Sequence, residues 1–240
     1  MTTDKTSTEK TTRDITSDSF TKEHRKRMRQ KVLQAGALHL TDMEVLKMAL
    51  YSAMPRADNK PVVKALLNHF KSIGAVVNAP SAELMEFPKV GETVVANLHI
   101  LSEISARITK DAVKHETILD NWPAVERYCI SKLAHSRVEM FLVLFLDSQN
   151  KLIEDRILSS GTTDRTVIYP KELIKMTVRA NASAVIIVHN HPLHDTRASA
   201  ADIQVTKQLK LALETIQVRL HDHLIVAGTD VISFKTLGLL

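Results

Sequence analysis

Three side chains that could bind a metal ion lie close together in the second half of the chain. His189 and His191 end the segment "SAVIIVHNHP", and Asp202 follows in "SAADIQVTKQL". The apolar run predicts a buried β-strand, in which side chains two residues apart lie on the same face. Both imidazoles can therefore reach one metal ion. With Asp202 they would leave a fourth position open for water, as catalytic zinc sites require.

The same residues also fit a simpler interpretation. Ser199 and Asp202 have the spacing of a helix cap, and the helix dipole favours an aspartate in the first turn whether or not a metal is bound. A pair of histidines separated by one residue is similarly weak evidence when taken alone. The spacing of these residues leaves the metal site and the helix cap open as interpretations.

Other histidines and the cysteine narrow the choice of site. Cys129 is the single cysteine, which excludes an internal disulfide and a multi-cysteine zinc cluster. His221 and His223 repeat the His-x-His spacing, but no Ser-x-x-Asp follows them. We interpret Asp222 and His223 as a buried hydrogen-bonded pair that supports the sheet, with a second metal site as the alternative.

The elements that must position these residues alternate between strand and helix after residue 135. "RVEMFLVLFLD" is apolar on both faces, as in a central strand, and "NKLIEDRILSSG" predicts an edge strand beside it. A helix at "YPKELIKMTVRANA", the strand that ends at His191, a helix from Ser199 and a strand at "VRLHDHLIVAG" follow. This order predicts an α/β layer domain with a mixed sheet over residues 136–240.

The first half of the chain is predicted to be helical. Residues 1–21 are rich in Thr and Ser and predict a disordered tail, and residues 22–110 show helical spacing of apolar residues. Thr41 and Glu44 predict a capping box. A second helix is predicted to end at Gly74, and a third to be capped by Ser81.

A connecting segment is predicted at residues 111–135. It contains one helix, for which Asn121 is the predicted cap shortly before Pro123.

The His-x-His pair, seven intervening residues and the Ser-x-x-Asp that follows together resemble the metal signature of the JAMM (MPN) metalloprotease domain, whose fold is a cytidine-deaminase-like layer. The segments "GTTDRTVIYPKEL", "NASAVIIVHNHP", "HDHLIVAG" and "SFKTLGLL" further resemble the RadC (UPF0758-like) family of bacterial JAMM-domain proteins. The resemblance covers residues 22–240.

That resemblance implies a zinc-dependent metallopeptidase, which cleaves peptide or isopeptide bonds of an unidentified protein or peptide. One Zn²⁺ per chain would be held by His189, His191 and Asp202. Glu139 matches the position of the family's general base, and Ser199 that of an oxyanion donor. A carboxylate that begins an apolar strand is also costly unless it has a partner or a task.

Two other carboxylates compete with Glu139 for the role of general base. Glu154 lies in the predicted edge strand, and Glu172 lies in a first helical turn where the dipole alone explains it.

The sequence departs from the family pattern around the signature. Leu193 and His194 stand where the family usually has Ser-Gly, and Ala198 stands where it has Pro before Ser199. His194 could compete for the metal, meet the substrate or remain an exposed loop residue. Lys171 replaces a common arginine, which keeps the charge and loses a bidentate contact.

The resemblance also implies a helix-hairpin-helix-like turn at "FPKVGETVVANL" and hence a DNA-linked alternative function. In that motif two glycines let the backbone approach a phosphate. Here Lys89 fills the first glycine position and Gly91 the second. A DNA-repair-associated binding protein and an inactive zinc scaffold are therefore the alternatives to a peptidase.

Charge and hydropathy limit the partners further. The net charge is +5, with much of the basic character concentrated in "KEHRKRMRQK" at residues 22–31. Aromatic residues make up only 4%, which disfavours a base-stacking platform for single strands. No apolar run reaches membrane-spanning length and the N-terminus is polar, so we expect a cytoplasmic protein without a membrane partner.

Overall fold

The computed structural model describes residues 22–55, 57–114, 117–118, 120–160 and 168–240. The chain divides into two compact units, the first ending at Ser102 and the second beginning at Glu103. The predicted tail at residues 1–21 and the segment at residues 161–167 lie outside the described residues.

The first unit is helical. It contains α1 (22–35), α2 (Asp42–Ala49), α3 (Lys60–Phe70), α4 (Ile73–Val77), α5 (Ser81–Met85) and the first part of α6 (Glu92–Lys114). Its core is formed by side chains with almost no exposed surface, namely Leu46, Leu50, Val63, Leu66, Val76, Leu84 and Leu98. Within the described ranges, no helix of the protein is long and apolar enough to cross a membrane.

The predicted capping box at the start of α2 is confirmed. The Thr41 hydroxyl accepts the Glu44 N–H at 3.3 Å, and the Glu44 carboxylate accepts the Thr41 N–H at 2.9 Å. Two N–H groups that the helix itself cannot satisfy are thus paired reciprocally.

Two predicted helix boundaries in this unit are wrong. The helix predicted to end at Gly74 already ends at Phe70, because Lys71 adopts a left-handed φ of 70° and closes it. Gly74 lies inside the next helix, α4. Ser81 is the first helical residue of α5, where Pro80 occupies the cap position.

The second unit is built on one mixed sheet. It contains the rest of α6, α7 (Trp122–Leu133), β1 (Met140–Leu146), β2 (Leu152–Ser160), α8 (Pro170–Arg179), β3 (Ala184–Asn190), α9 (Ala200–Glu214), β4 (Arg219–Ala227) and β5 (Asp230–Ser233). The strand order is β2-β1-β3-β4-β5, in which β3 and β4 are parallel and the other pairs antiparallel. The predicted α/β fold with a mixed sheet is confirmed. The short edge strand β5 was not predicted.

Helices cover both faces of this sheet, as the apolar pattern of β1 requires. One face packs on α7 through Leu142, Leu144, Ile186, Val188, Val125, Tyr128 and Leu133. The other packs on α8 and α9 through Phe141, Val143, Val185, Ile187, Leu173, Leu209 and Leu213. His189 continues the alternation of Val185 and Ile187, so its side chain lies on the face that α9 covers.

Candidate metal site

The two signature histidines lie at the end of β3. The strand ends at Asn190, and Pro192 cannot continue it because it has no N–H to donate. The Nε2 atoms of His189 and His191 are 3.0 Å apart. Their side chains therefore meet on one side of the strand, as the spacing predicts.

Asp202 reaches the same point from α9. Ser199 caps this helix: its Oγ accepts the Asp202 N–H at 3.1 Å, and the Asp202 carboxylate accepts the Ser199 N–H at 2.8 Å. The same carboxylate places Oδ1 3.4 Å from His189 Nε2 and Oδ2 3.6 Å from His191 Nε2. The helix cap and the candidate site are therefore compatible, and one carboxylate contributes to both.

Among the residues that the structure describes, one group of three His, Cys, Asp or Glu side chains could hold a metal ion. It consists of His189, His191 and Asp202, whose ligand atoms all lie within 4.8 Å of one another. Burial lowers the pKa of His189 to about 4, so this ring is neutral at pH 7. The hydrogen bond to Asp202 raises the pKa of His191. Burial opposes ionisation of Asp202, but hydrogen bonds from His191 and Ser199 outweigh it and hold its pKa below the usual range.

The donor atoms of this group suit a divalent cation. His191 Nδ1 lies 2.6 Å from the carbonyl oxygen of Asp195, which can only accept, so Nδ1 carries the proton. In a neutral His191 ring, Nε2 then presents a lone pair toward His189 and the Asp202 carboxylate. These electron-rich groups need a positive charge between them, which a metal ion supplies or, without one, a proton on His191. Two imidazoles and a carboxylate are ligands that Zn²⁺, Fe²⁺ and Mn²⁺ accept.

Glu139 lies beside this group, immediately before β1. Phe141 is the antiparallel partner of His189 and the last residue of β1 that pairs with β3 at this end, so Glu139 lies two residues beyond that pair. Two-residue spacing also gives Glu139 the same face as Phe141. The negative charge of the half-buried Glu139 also raises the pKa of His191, although by less than the hydrogen bond to Asp202 does.

Asn190 fixes the backbone on which Glu139 sits. Its side chain is 1% exposed and points to the side opposite the two histidines. The Asn190 Oδ1 accepts the Met140 N–H at 2.8 Å, and Nδ2 donates to the Val138 carbonyl at 3.1 Å. The residue between the two histidines therefore holds the peptide groups on both sides of Glu139.

The two rival carboxylates lie on other elements. Glu154 on the edge strand β2 accepts two hydrogen bonds from Arg156, both at 3.0 Å. Glu172 is exposed in the first turn of α8, beside the exposed Lys171.

His194 lies outside the metal-binding group. It is exposed, has a left-handed φ of 59°, and places its Nδ1 3.3 Å from where a Cβ on Gly228 would be. The loop that departs from the family pattern nevertheless contacts the site. Asp195, whose carbonyl meets His191, binds the Arg197 guanidinium at 3.0 and 3.1 Å.

His223 is the residue of this site that the sequence interpretation missed. Its Nε2 lies 2.7 Å from His189 Nδ1, and its ring stacks on Phe234 with centroids 4.5 Å apart. The expected buried hydrogen bond between Asp222 and His223 is present, with the backbone N–H of His223 as its donor. The Asp222 carboxylate accepts the backbone N–H groups of His223 and Lys235, which fastens β4 to the turn after β5.

The second His-x-His pair does not form a metal site. His221 contacts Asn150 at the β1–β2 turn, whereas His223 contacts His189. His223 lies in the strand after β3, and this strand pairs parallel to β3 with Ile187 opposite His223. In this register His189 is two residues beyond Ile187, which brings the two rings close together. The signal in the sequence was a histidine in the next strand along the chain.

The chain is similar to known proteins over most of its length. The family model described as a RadC-like JAB domain matches residues 119–239. A UPF0758 protein of Ruegeria pomeroyi is 38% identical over 222 residues, which cover 92% of this chain and 99% of the relative. A UPF0758 protein of Rhodobacter capsulatus is 41% identical over 213 residues, which cover 89% of this chain and 100% of the relative.

Proposed function

Because the chain belongs to the family of RadC-like JAB domain proteins, which have the fold of metal-dependent hydrolases, we propose that it is a zinc-dependent metallopeptidase. It would cleave peptide or isopeptide bonds of a protein or peptide substrate. The observation that carries this proposal is the convergence of His189, His191 and Asp202 beside Glu139.

Residues at the end of β3, just after it and in the first turn of α9 would bind the cation. His189 Nε2, His191 Nε2 and the Asp202 carboxylate would hold one Zn²⁺ per chain. Bound zinc would lower the pKa of a coordinated water toward about 7 and polarise the scissile carbonyl group. Neutral His189 and ionised Asp202 are already in the protonation states that binding needs, whereas the raised pKa of His191 favours the protonated ring, which competes with binding.

Glu139 is the proposed general base. Its half-buried carboxylate lies close enough to His191 to raise the pKa of that ring, and there it could take a proton from the attacking water and pass it to the leaving amine. Asn190 keeps the carboxylate in place by binding the peptide groups that flank it. A base fixed by the ligand-bearing strand needs little reorganisation during the reaction.

Ser199 is the proposed oxyanion donor. Its hydroxyl donates to the Asp202 carboxylate at 2.7 Å while accepting the Asp202 N–H. When a cation neutralises the carboxylate, the hydroxyl proton can turn toward the substrate oxygen without loss of the helix cap. Removing one oxyanion donor typically lowers the rate by about a hundredfold or more.

The test compares Glu139→Gln with the matched control Glu154→Gln, whose carboxylate lies on β2 and binds Arg156. We expect both variants to retain one zinc by mass spectrometry. Hydrolysis of a peptide and isopeptide library should fall by about a hundredfold or more in Glu139→Gln alone. Full activity of Glu139→Gln would remove Glu139 from the mechanism.

Metal dependence is tested separately. Asp202→Ala should lose zinc, and chelation of the wild-type protein should abolish hydrolysis. Tight zinc binding without any turnover of the library would contradict the peptidase proposal and favour a zinc-stabilised scaffold instead.

A second candidate function is contact with DNA phosphates at the turn before α6. Lys89 has a left-handed φ of 67°, the conformation that a glycine of the helix-hairpin-helix motif would supply, and its side chain is exposed. Lys89→Gly removes the cation and keeps this backbone conformation. We expect weaker duplex binding by fluorescence anisotropy and a salt slope reduced by about one. An equal effect of Lys64→Gly on the exposed face of α3 would contradict a specific role for Lys89.

A further inference from the structure

A path of buried hydrogen bonds behind the site connects two of the candidate metal ligands. His189 Nδ1 contacts His223 Nε2 at 2.7 Å, and His223 Nδ1 contacts the Thr206 hydroxyl at 2.6 Å. Thr206 Oγ1 in turn lies 2.5 Å from the carbonyl oxygen of Asp202. Each of these three side chains is at most 1% exposed. The path therefore begins at one ligand, ends at the backbone of another and is shielded from water.

The end of the path sets the direction of every bond in it. A carbonyl oxygen can only accept, so the single proton of the Thr206 hydroxyl belongs to the Asp202 carbonyl. Thr206 then accepts, and His223 must donate from Nδ1. A neutral His223 has no proton left on Nε2, which accepts from His189 Nδ1–H. His189 Nε2 is thus left with a lone pair that points toward His191 and Asp202.

The opposite direction is disfavoured by the same distances. If Thr206 donated to His223, the Thr206 and Asp202 oxygens would face each other at 2.5 Å without a proton between them. His223 would then donate from Nε2, and His189 would carry its proton on Nε2. A nitrogen that carries a proton cannot bind a metal ion, so only one direction is compatible with the site.

We propose that Thr206 and His223 are positioning residues that hold His189 as the Nδ1–H tautomer, with its Nε2 lone pair ready for a divalent cation. This inference rests on the metal site proposed above. It adds that the tautomer is set by the protein before the metal arrives, through a hydroxyl group on the helix that also carries Asp202.

Thr177 on α8 provides a matched control. It is 0% exposed and donates to the carbonyl four residues before it, that of Leu173, at 2.7 Å. Thr177→Val therefore loses the same kind of buried helical hydrogen bond as Thr206→Val. The structure gives a histidine contact for the Thr206 hydroxyl, and this contact is what distinguishes the two variants.

The experiment measures histidine tautomers by long-range ¹H–¹⁵N NMR of the metal-free full chain at pH 7.5. In the wild type we expect Nδ1–H on both His189 and His223. In Thr206→Val, His223 loses its acceptor and should become Nε2–H, which drives His189 to Nε2–H as well. Thr206→Ser should restore both wild-type tautomers, and Thr177→Val should leave them unchanged.

Zinc affinity provides the second measurement, by competition with a chromophoric chelator. We expect Thr206→Val to bind Zn²⁺ about 10- to 100-fold more weakly than the wild type, as is common when a hydrogen-bond partner of a ligating histidine is lost. Thr206→Ser and Thr177→Val should stay within about threefold of the wild-type affinity, a range well below that loss.

The outcomes separate this inference from the proposed function. Nε2–H on His189 in the metal-free wild type would overturn the inference without any variant, as would an unchanged His189 tautomer in folded Thr206→Val. Zinc-dependent hydrolysis with either of these results would leave the proposed function standing alone. The expected tautomer changes in a protein that binds no zinc would support the path and overturn the proposed function.

Discussion

Replacing Asn190 by alanine tests whether the residue between the two histidines holds the segment that carries Glu139. The variant loses the bonds to the Met140 N–H and the Val138 carbonyl. Each such bond contributes about 0.5–1.5 kcal/mol net, so we expect a local loss of about 1–3 kcal/mol. This corresponds to about 5- to 150-fold faster hydrogen exchange at the Met140 amide, since about 1.4 kcal/mol is a factor of ten.

The assay is residue-resolved hydrogen exchange, with Gln149→Ala in the exposed β1–β2 turn as the control. Gln149→Ala should leave the Met140 amide unchanged, because surface substitutions change stability by about 0.5 kcal/mol or less. We further expect Asn190→Ala to keep its zinc while turnover falls. Protection of Met140 within twofold of the wild type, in a folded Asn190→Ala protein, would refute the reasoning.

Three other predictions follow from the fold and the charges. Hydrogen bonds from the Thr41 backbone N–H and from Lys31 lower the pKa of Glu44 in the folded protein to about 2. The wild type should therefore be more stable than Glu44→Gln above about pH 4.5, and this difference should be lost as the pH falls toward 2. Urea unfolding of both proteins at several pH values measures it. Because the pKa of His191 is raised, zinc affinity in a metal titration should fall about tenfold per pH unit below that pKa, and a flat profile would contradict it. Leu144 in β1 is fully buried, so Leu144→Ala should lower the free energy of unfolding, measured in urea, by about 2–5 kcal/mol. Ile157 on β2 is exposed, and Ile157→Ala should lower it by about 0.5 kcal/mol. Equal losses would contradict a central position for β1.

The elements that carry the site were predictable because their patterns are local. The apolar runs of β1 and β3, the capping spacing of Ser199 and Asp202, and the helix between β3 and β4 depend on neighbours in sequence. The His-x-His spacing also predicted that both rings lie on one side. These features need no knowledge of the rest of the chain.

The features that were missed depend on distant contacts. β5 has four residues and little apolar pattern, and it exists because it pairs with β4. His223 acquires its role from a contact with His189, which is distant in sequence. The helix predicted to end at Gly74 ends earlier because Lys71, a residue without special propensity, adopts the left-handed conformation.

The residues that would bind the cation and the residue that would take the proton come from different strand–helix segments, which are joined by different contacts. His189, Asp202, Thr206 and His223 all come from the continuous unit β3-α9-β4. Glu139 lies immediately before β1 and is joined to this unit by the antiparallel pairing of β1 with β3 and by the hydrogen bonds of Asn190. A one-residue slip of that pairing would turn the Glu139 side chain to the opposite face and leave every ligand in place. A substitution that shifts this pairing should therefore abolish the proposed proton transfer and leave the proposed metal ligands together.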